Sequence, residues 1–164
     1  MHTKRMTTRY LVTAAVIAAL YAVLTLAFAP LSYGEIQVRI SEALTVLPLF
    51  TPAAVPGLFI GCLAANVYTM NPFDIIFGSL ATLIAAYLTW KSRRMPWLAM
   101  LWPVVCNGVI IGPVLRFAYA VPLPLWLCML SVAAGELVAV YVLGGVLQVA
   151  LRKGQGRLFG EESK

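Results

Sequence analysis

Three polar side chains stand inside long apolar stretches of the sequence, and they are the residues best placed to do chemistry. They are Asn66, Asn107 and Glu136. An amide donates and accepts hydrogen bonds, and a carboxylate accepts two parallel ones from adjacent N–H groups. Within a membrane-spanning segment such groups are costly, so by default they indicate a binding site or a proton pathway.

Asn107 and Glu136 are predicted to lie at the same depth. Asn107 stands nine residues before Arg116, and Glu136 stands eleven residues after Leu125. Because a helix rises about 1.5 Å per residue, both side chains are expected roughly 14–17 Å below the outer boundary. Two interpretations fit this placement: the two side chains bind a ligand, or they form a structural hydrogen bond with each other.

A second group of candidates stands where the apolar stretches end on the outer side. Aromatic rings at this level stack on flat ligands, but they are also the common interface anchors of membrane proteins. An acid there either binds a cation or stabilises the N-terminus of the helix that it opens. The residues of this group are Tyr68, Asp74, Arg116, Tyr119 and Trp126.

Segment 30–42 differs from the other connections. Apolar and polar residues alternate from residue 36 to residue 41, and this period of two predicts an extended chain with one apolar face. We expect that face to rest on the mouth of a helical bundle, as a lid over a cavity. The charged residues of the segment either contact a ligand or pair with one another. They are Glu35, Arg39 and Glu42.

Composition and charge exclude a water-soluble globule. The 164 residues are 62% hydrophobic and 11% charged, whereas soluble domains carry about 25% charged residues. The basic residues cluster at the ends of apolar stretches, as in cytoplasmic loops and unlike a nucleic-acid-binding surface. The sequence shows no metal-ligand cluster, phosphate-binding loop or nucleophile–base pair. We therefore expect no enzyme, metal or cofactor.

The apolar stretches predict an all-α integral membrane protein, a bundle of six transmembrane helices forming one domain over residues 1–164. Prolines divide the apolar stretch 43–68 into two short helices, because proline removes a backbone hydrogen bond and kinks a helix. With two spans there, the basic clusters at both ends and at 91–94 all face the cytoplasm, as do both termini. The expected spans are 10–29, 43–52, 56–70, 74–90, 97–117 and 124–151, with 30–42 as an outer gating loop.

The first span carries alanines at four-residue spacing, Ala14, Ala18 and Ala22. Small residues in this pattern form a flat stripe that lets another helix approach closely. The stripe therefore predicts either packing inside the bundle or docking to another membrane subunit.

Two motifs are the most specific in the chain: YGEIQVRISEALTVLP at 33–48, preceded by the alanine-rich first span, and NPFD at 71–74. In these motifs, and in length and span number, the chain resembles the QueT family. Members of this family are the membrane substrate-binding (S) components of energy-coupling-factor (ECF) transporters assigned to queuosine precursors. The resemblance covers nearly the whole chain.

The resemblance implies a multi-pass protein of a bacterial cytoplasmic membrane that captures a 7-deazaguanine base from outside. It implies docking of Ala14, Ala18 and Ala22 to an EcfT-type coupling subunit, with two cytoplasmic ATPase subunits supplying energy. Candidate contacts are Glu136, Asn107, Asn66 and Arg39 for the polar edge of the base, Glu35, Glu42 and Asp74 for a cationic amine, and Phe73, Tyr119 and Trp126 for the ring face.

The competing interpretation is a small proton-coupled exporter of drugs or cations. In it, Glu136 alternates between a proton and a cationic substrate, a role that suits a lone membrane carboxylate. Such exporters usually have four spans, and an exporter does not explain segment 30–42. A substrate-binding subunit instead binds its ligand tightly by itself and accumulates nothing without its ATPase partners.

Overall fold

The computed structural model describes residues 8–29, 39–68 and 70–158, and every element in this range is helical. This confirms the all-helical fold class. Most of the predicted gating loop, residues 30–38 with the candidate Glu35, lies outside the described residues.

The described chain forms six successive helical stretches. Helix α1 is Thr8–Ala27, α2 is the 3-10 helix Ile40–Leu49, and α3 is Ala54–Val67. Helix α4 opens with a π-helical turn, Asp74–Gly78, and continues as Ser79–Lys91. Helix α5 comprises Pro96–Ala99 and Leu101–Phe117. Helix α6 comprises Leu125–Leu137, a π-helical segment Val138–Leu143, and Gly144–Leu158.

Three of these stretches are long and apolar enough to cross a membrane: Thr8–Ala27, Pro96–Phe117 and Leu125–Gly154. Helices α2 and α3 are shorter apolar helices. A 3-10 helix rises about 2.0 Å per residue, so the ten residues of α2 extend about 20 Å, less than the hydrocarbon core of a bilayer. The count of six spans and the cytoplasmic termini therefore remain predictions.

Helix α2 lies at the centre of the bundle. Residues 41–48 are all buried, and the helix contacts α1, α3, α4 and α6. Leu44 and Leu47 pack in one apolar cluster with Tyr21 and Leu58. Because neighbouring helices enclose α2, its acid Glu42 is in the protein interior, 0% exposed.

Helices α1 and α3 pack with their backbones in close contact. A Cβ atom added at Gly57 would lie 2.7 Å from the carbonyl oxygen of Ala14, and one at Gly61 would lie 2.6 Å from that of Ala18. No side-chain carbon fits at these distances, so only glycine permits the close approach.

Two of the three alanines in the predicted docking stripe take part in this packing, which is one of the two alternatives for the stripe. Ala14 and Ala18 are 7% and 9% exposed because they contact α3, and Ala22 is half-buried. Ala15 and Ala19 are exposed. The exposed face of α1 therefore carries Ala15 and Ala19.

Irregular helical segments surround the buried acids. Helix α2 keeps the 3-10 conformation over ten residues, although runs beyond three or four residues are uncommon. The π-helical turn Asp74–Gly78 begins at one buried acid, and Val138–Leu143 begins two residues after Glu136. π-Helical turns are rare in proteins, and those that occur are often found at functional sites. The backbone conformation therefore indicates that these acids belong to a functional site.

Candidate functional site

All acids in the described part of the chain are buried. Glu42, Asp74 and Glu136 are 0%, 2% and 6% exposed. Among the basic side chains that the structure describes, Arg39 alone is buried, at 5% exposure. Burying charge is costly unless the charge is paired or bound. Packing alone therefore does not account for this group of residues.

Four helices bring five polar residues together in what we call the central cluster: Tyr21, Arg39, Glu42, Asn107 and Glu136. Tyr21 of α1 donates a hydrogen bond from its hydroxyl to Glu42 Oε1. Glu136 of α6 lies beside Asn107 of α5 and within electrostatic range of Glu42 and Arg39. Arg39 directly precedes α2. The cluster thus unites four of the residues that the sequence proposes as ligand contacts.

The two acids and the amide of the central cluster each keep an unused hydrogen-bonding atom. Glu42 Oε2, Asn107 Nδ2 and Glu136 Oε2 are buried without a hydrogen-bond partner among the described residues. Asn107 lies next to Glu136 and interacts with it, but the contact of its Nδ2 lacks the geometry of a full hydrogen bond. Because most buried polar groups in proteins are paired, these two acceptors and one donor fit a polar ligand.

A second group, the outer cluster, lies where α3, α4 and the connection after α5 meet. The Tyr119 hydroxyl donates a hydrogen bond to Asp74 Oδ2. Asn66 Nδ2 donates to the Asp74 carbonyl oxygen at 2.9 Å and contacts Cys62 Sγ at 3.3 Å. The Asn66 amide, predicted to read a base, here ties α3 to the π-helical turn of α4.

Tyr119 keeps its proton in the outer cluster. Partial burial and the hydrogen bond to Asp74 raise the pKa of Tyr119 to about 12. An ionised phenol beside a carboxylate would be repelled, so the neutral form persists through the physiological pH range. Tyr119 therefore remains a hydrogen-bond donor that ties the connection after α5 to α4.

Two of the aromatic residues predicted to stack on a ligand lie on the outside of the bundle. Trp126 is 65% exposed and lines a groove between α5 and α6. Phe73 is 47% exposed and stacks on Phe77 with ring centroids 6.2 Å apart. With Phe117, these two phenylalanines border a cavity of about 230 Å³. In this conformation, Trp126 and Phe73 are as exposed as the aromatic residues that anchor membrane proteins at the bilayer interface.

Tyr21 was not among the candidate residues predicted from the sequence. In an apolar helix it reads as one more membrane-embedded aromatic residue. A signal was nevertheless present: Tyr21 follows Ala14 and Ala18 at helical spacings of seven and three, so all three share one face. Once that face is buried against α3, the hydroxyl of Tyr21 must find a partner in the interior, and Glu42 accepts its hydrogen bond.

Comparison with known proteins gives one family match and one curated relative. A family model described as QueT transporter matches residues 11–153. The protein named "Queuosine precursor transporter QueT" of Lactococcus lactis subsp. cremoris (strain MG1363) is 37% identical over 83 residues, 49% of each chain. The match thus spans about half the length of this relative. No solved structure matches the chain significantly.

Proposed function

Because the chain belongs to the QueT transporter family, we propose that it is the substrate-binding subunit of an ECF-type importer for a queuosine precursor, a 7-deazaguanine base taken up from outside the cell. Its long apolar helices indicate a membrane protein. Its family consists of transporters and not of enzymes. The identity of the subunit and of its ligand is the part that we infer.

The central cluster is the observation that carries the proposal. One edge of a 7-deazaguanine base presents adjacent N–H donors next to a carbonyl acceptor. A carboxylate such as Glu136 accepts two parallel hydrogen bonds from adjacent donors, and Asn107 Nδ2 supplies a donor for the carbonyl. The unused atoms Glu136 Oε2 and Asn107 Nδ2, buried side by side, support this pairing.

The exposed face of α1 supports docking to an EcfT-type coupling subunit, which would associate with two cytoplasmic ATPase subunits. Ala15 and Ala19 are four residues apart on this face, and small residues at this spacing let a partner helix approach closely. Long aliphatic side chains surround them and would cover the approaching helix. These are Leu11, Val12, Val16, Leu20 and Val23.

The charge distribution supports six spans with both termini in the cytoplasm. Exposed basic residues lie between α4 and α5 and near the end of α6, where the positive-inside rule places them in the cytoplasm.

Cysteine labelling tests this orientation. In intact cells, a membrane-impermeant maleimide should label Pro122→Cys and not Met95→Cys. The native cysteines are buried and should add little background. Labelling at residue 95 alone would overturn the orientation.

Calorimetric titration of the purified protein tests the function. The protein should bind a 7-deazaguanine base, and Glu136→Gln should weaken binding at least about tenfold, or about 1.4 kcal/mol. The matched variant Glu161→Gln changes an acid after the end of α6 and should bind like the unchanged protein. Full affinity in Glu136→Gln would remove this residue from the site. Failure to bind any such base would refute the proposed ligand.

A further inference from the structure

A groove runs along the side of the bundle between the beginning of α5 and the second half of α6. Its volume is about 460 Å³. Val142, Val146 and Val149 border it on α6, and all three are exposed. Their spacings of four and three residues place them on one face of the helix. No other part of the described chain covers this apolar face, so a molecule from outside the chain must do so.

Two adjacent glycines of α6 show that the groove is open space. A Cβ atom added at Gly144 would lie 2.8 Å from Val46 of α2, so this glycine permits close packing. A Cβ atom added at Gly145 would meet nothing within 4 Å, although Gly145 lines the groove. The groove therefore has room for a chain of atoms beside the helix.

Trp97 and Tyr141 form an aromatic pair at the edge of the groove. Their ring centroids are 6.0 Å apart, and the Tyr141 hydroxyl donates a hydrogen bond to the Trp97 carbonyl oxygen at 2.8 Å. Trp97 lies in the first turn of α5 and is exposed. Tryptophan and tyrosine are enriched at the boundary between hydrocarbon and headgroups. The pair therefore fixes one wall of the groove near that boundary.

Exposed cations lie beyond the groove, toward the end of α6. Arg152 and Lys153 each stand four residues after a residue that lines the groove, Gln148 and Val149, so they continue the same face by one turn. Arg94, in the connection before α5, is exposed as well. The acids that the structure describes are all buried, so none of them neutralises these cations at the surface.

The cations on α6 lie at the level of lipid phosphates. Arg152 stands 27 residues after Leu125, the first residue of α6, which is roughly 40 Å along a helix. A bilayer measures about 30 Å across its hydrocarbon core and about 40–45 Å with its headgroups. When α6 begins at one surface, its three valines are therefore level with acyl chains and Arg152 is level with the headgroups of the opposite leaflet.

We propose that this groove binds an anionic phospholipid of the cytoplasmic leaflet. An acyl chain lies along the valines of α6, and the headgroup phosphate contacts Arg152, Lys153 and Arg94. An apolar groove that ends in unneutralised cations matches an amphiphile with a negative head, because each lysine or arginine near the surface attracts anionic lipid. The inference is independent of the ligand in the proposed function and uses the proposed orientation only to name the leaflet.

Mass spectrometry of the intact protein released from detergent tests the site, with phosphatidylglycerol and phosphatidylcholine of identical acyl chains added at equal concentration. The unchanged protein should retain phosphatidylglycerol at least about fivefold more. Gly145→Leu fills the groove without a clash and should lower this retention at least about fivefold. Arg152→Gln combined with Lys153→Gln should do the same through the lost charges.

The matched control combines Lys91→Gln with Arg93→Gln. It also removes two exposed charges, at the end of α4, where Arg93 lies over the Trp90 ring, and it should retain phosphatidylglycerol like the unchanged protein. An equal loss in this control would reduce the effect to general charge attraction and overturn the site.

Two further outcomes would contradict the proposal. Equal retention of both lipids by the unchanged protein would refute the preference for an anionic headgroup. Full retention of phosphatidylglycerol by Gly145→Leu would refute the groove as the lipid site, and loss of copurification with a coupling subunit in that same variant would identify the groove as a protein interface instead. The charge variants change only exposed side chains, so they keep the test decisive if Gly145→Leu fails to fold.

Discussion

At the scale of single residues, the hydrogen bond between Tyr21 and Glu42 joins α1 to the central helix α2. Both side chains are 0% exposed, so neither group can exchange its partner for bulk water. Leaving a buried acceptor unsatisfied costs more than a typical hydrogen bond contributes. The phenol therefore makes it possible to keep a carboxylate inside the bundle before any ligand is bound.

Tyr21→Phe should lower the free energy of unfolding by about 1–3 kcal/mol, because the ring still fills its space while Glu42 Oε1 loses its donor. Thermal unfolding of the purified protein in detergent measures the effect. The matched control Tyr87→Phe changes a phenol that is 47% exposed on α4 and should leave the unfolding temperature unchanged. Equal unfolding temperatures for the two variants would show that the Tyr21 hydroxyl contributes nothing.

At the scale of helices, two glycines set the distance between α1 and α3. A Cβ atom at Gly61 would meet the Ala18 carbonyl oxygen at 2.6 Å and the Tyr21 Cβ at 2.8 Å. Backbone atoms cannot rotate away as a flexible side chain can, so the helices would have to separate. Separation would also move Tyr21 relative to Glu42, which couples helix packing to the central cluster.

Gly61→Ala should therefore destabilise the protein by about 1–3 kcal/mol, the usual cost of overpacking. The control is Gly145→Ala in α6, where an added Cβ has nothing within 4 Å. Alanine is the better helix former, so this control should be neutral or stabilising by up to about 1 kcal/mol. Both are measured as changes in thermal unfolding. A stable Gly61→Ala protein would contradict the close packing of α1 on α3.

At the scale of the whole molecule, α1 has one face packed inside the bundle and one face exposed. Its Ala14 and Ala18 face packs against α3 inside the bundle, and its Ala15 and Ala19 face is exposed. A bulky residue at Ala18 would disrupt the fold of the subunit itself. A bulky residue at Ala19 tests docking to a partner without that complication.

Ala19→Leu should leave binding of a 7-deazaguanine base unchanged and reduce uptake at least about tenfold, because a leucine keeps the partner helix at a distance. Uptake in cells and copurification with the coupling subunit measure the effect. Ala134→Leu changes an exposed alanine on α6 and should support normal uptake. Normal uptake by Ala19→Leu at equal expression would show that this face contacts lipid only.

The candidate site was predictable from the sequence in part. Glu136 and Asn107 stand out because polar residues are rare in apolar runs, and equal helix depth predicts that they lie side by side, as they do. Arg39 and Glu42 were assigned to an outer loop, yet Glu42 lies in the buried helix α2. A period-two pattern describes only local chain direction and does not show how deeply a segment enters the bundle.

The sequence alone determined the class of molecule, the helical content and the family. The low charge and the short motifs are local properties of the chain, and the length of an apolar run is matched to the thickness of a bilayer. Only the tertiary structure decided which face of α1 is free, which acid Tyr21 meets and what the Asn66 amide contacts. Helix α1 is apolar around its whole circumference, so periodicity cannot reveal its buried side. That side is determined by contacts between residues distant in the chain, such as Ala18 with Gly61.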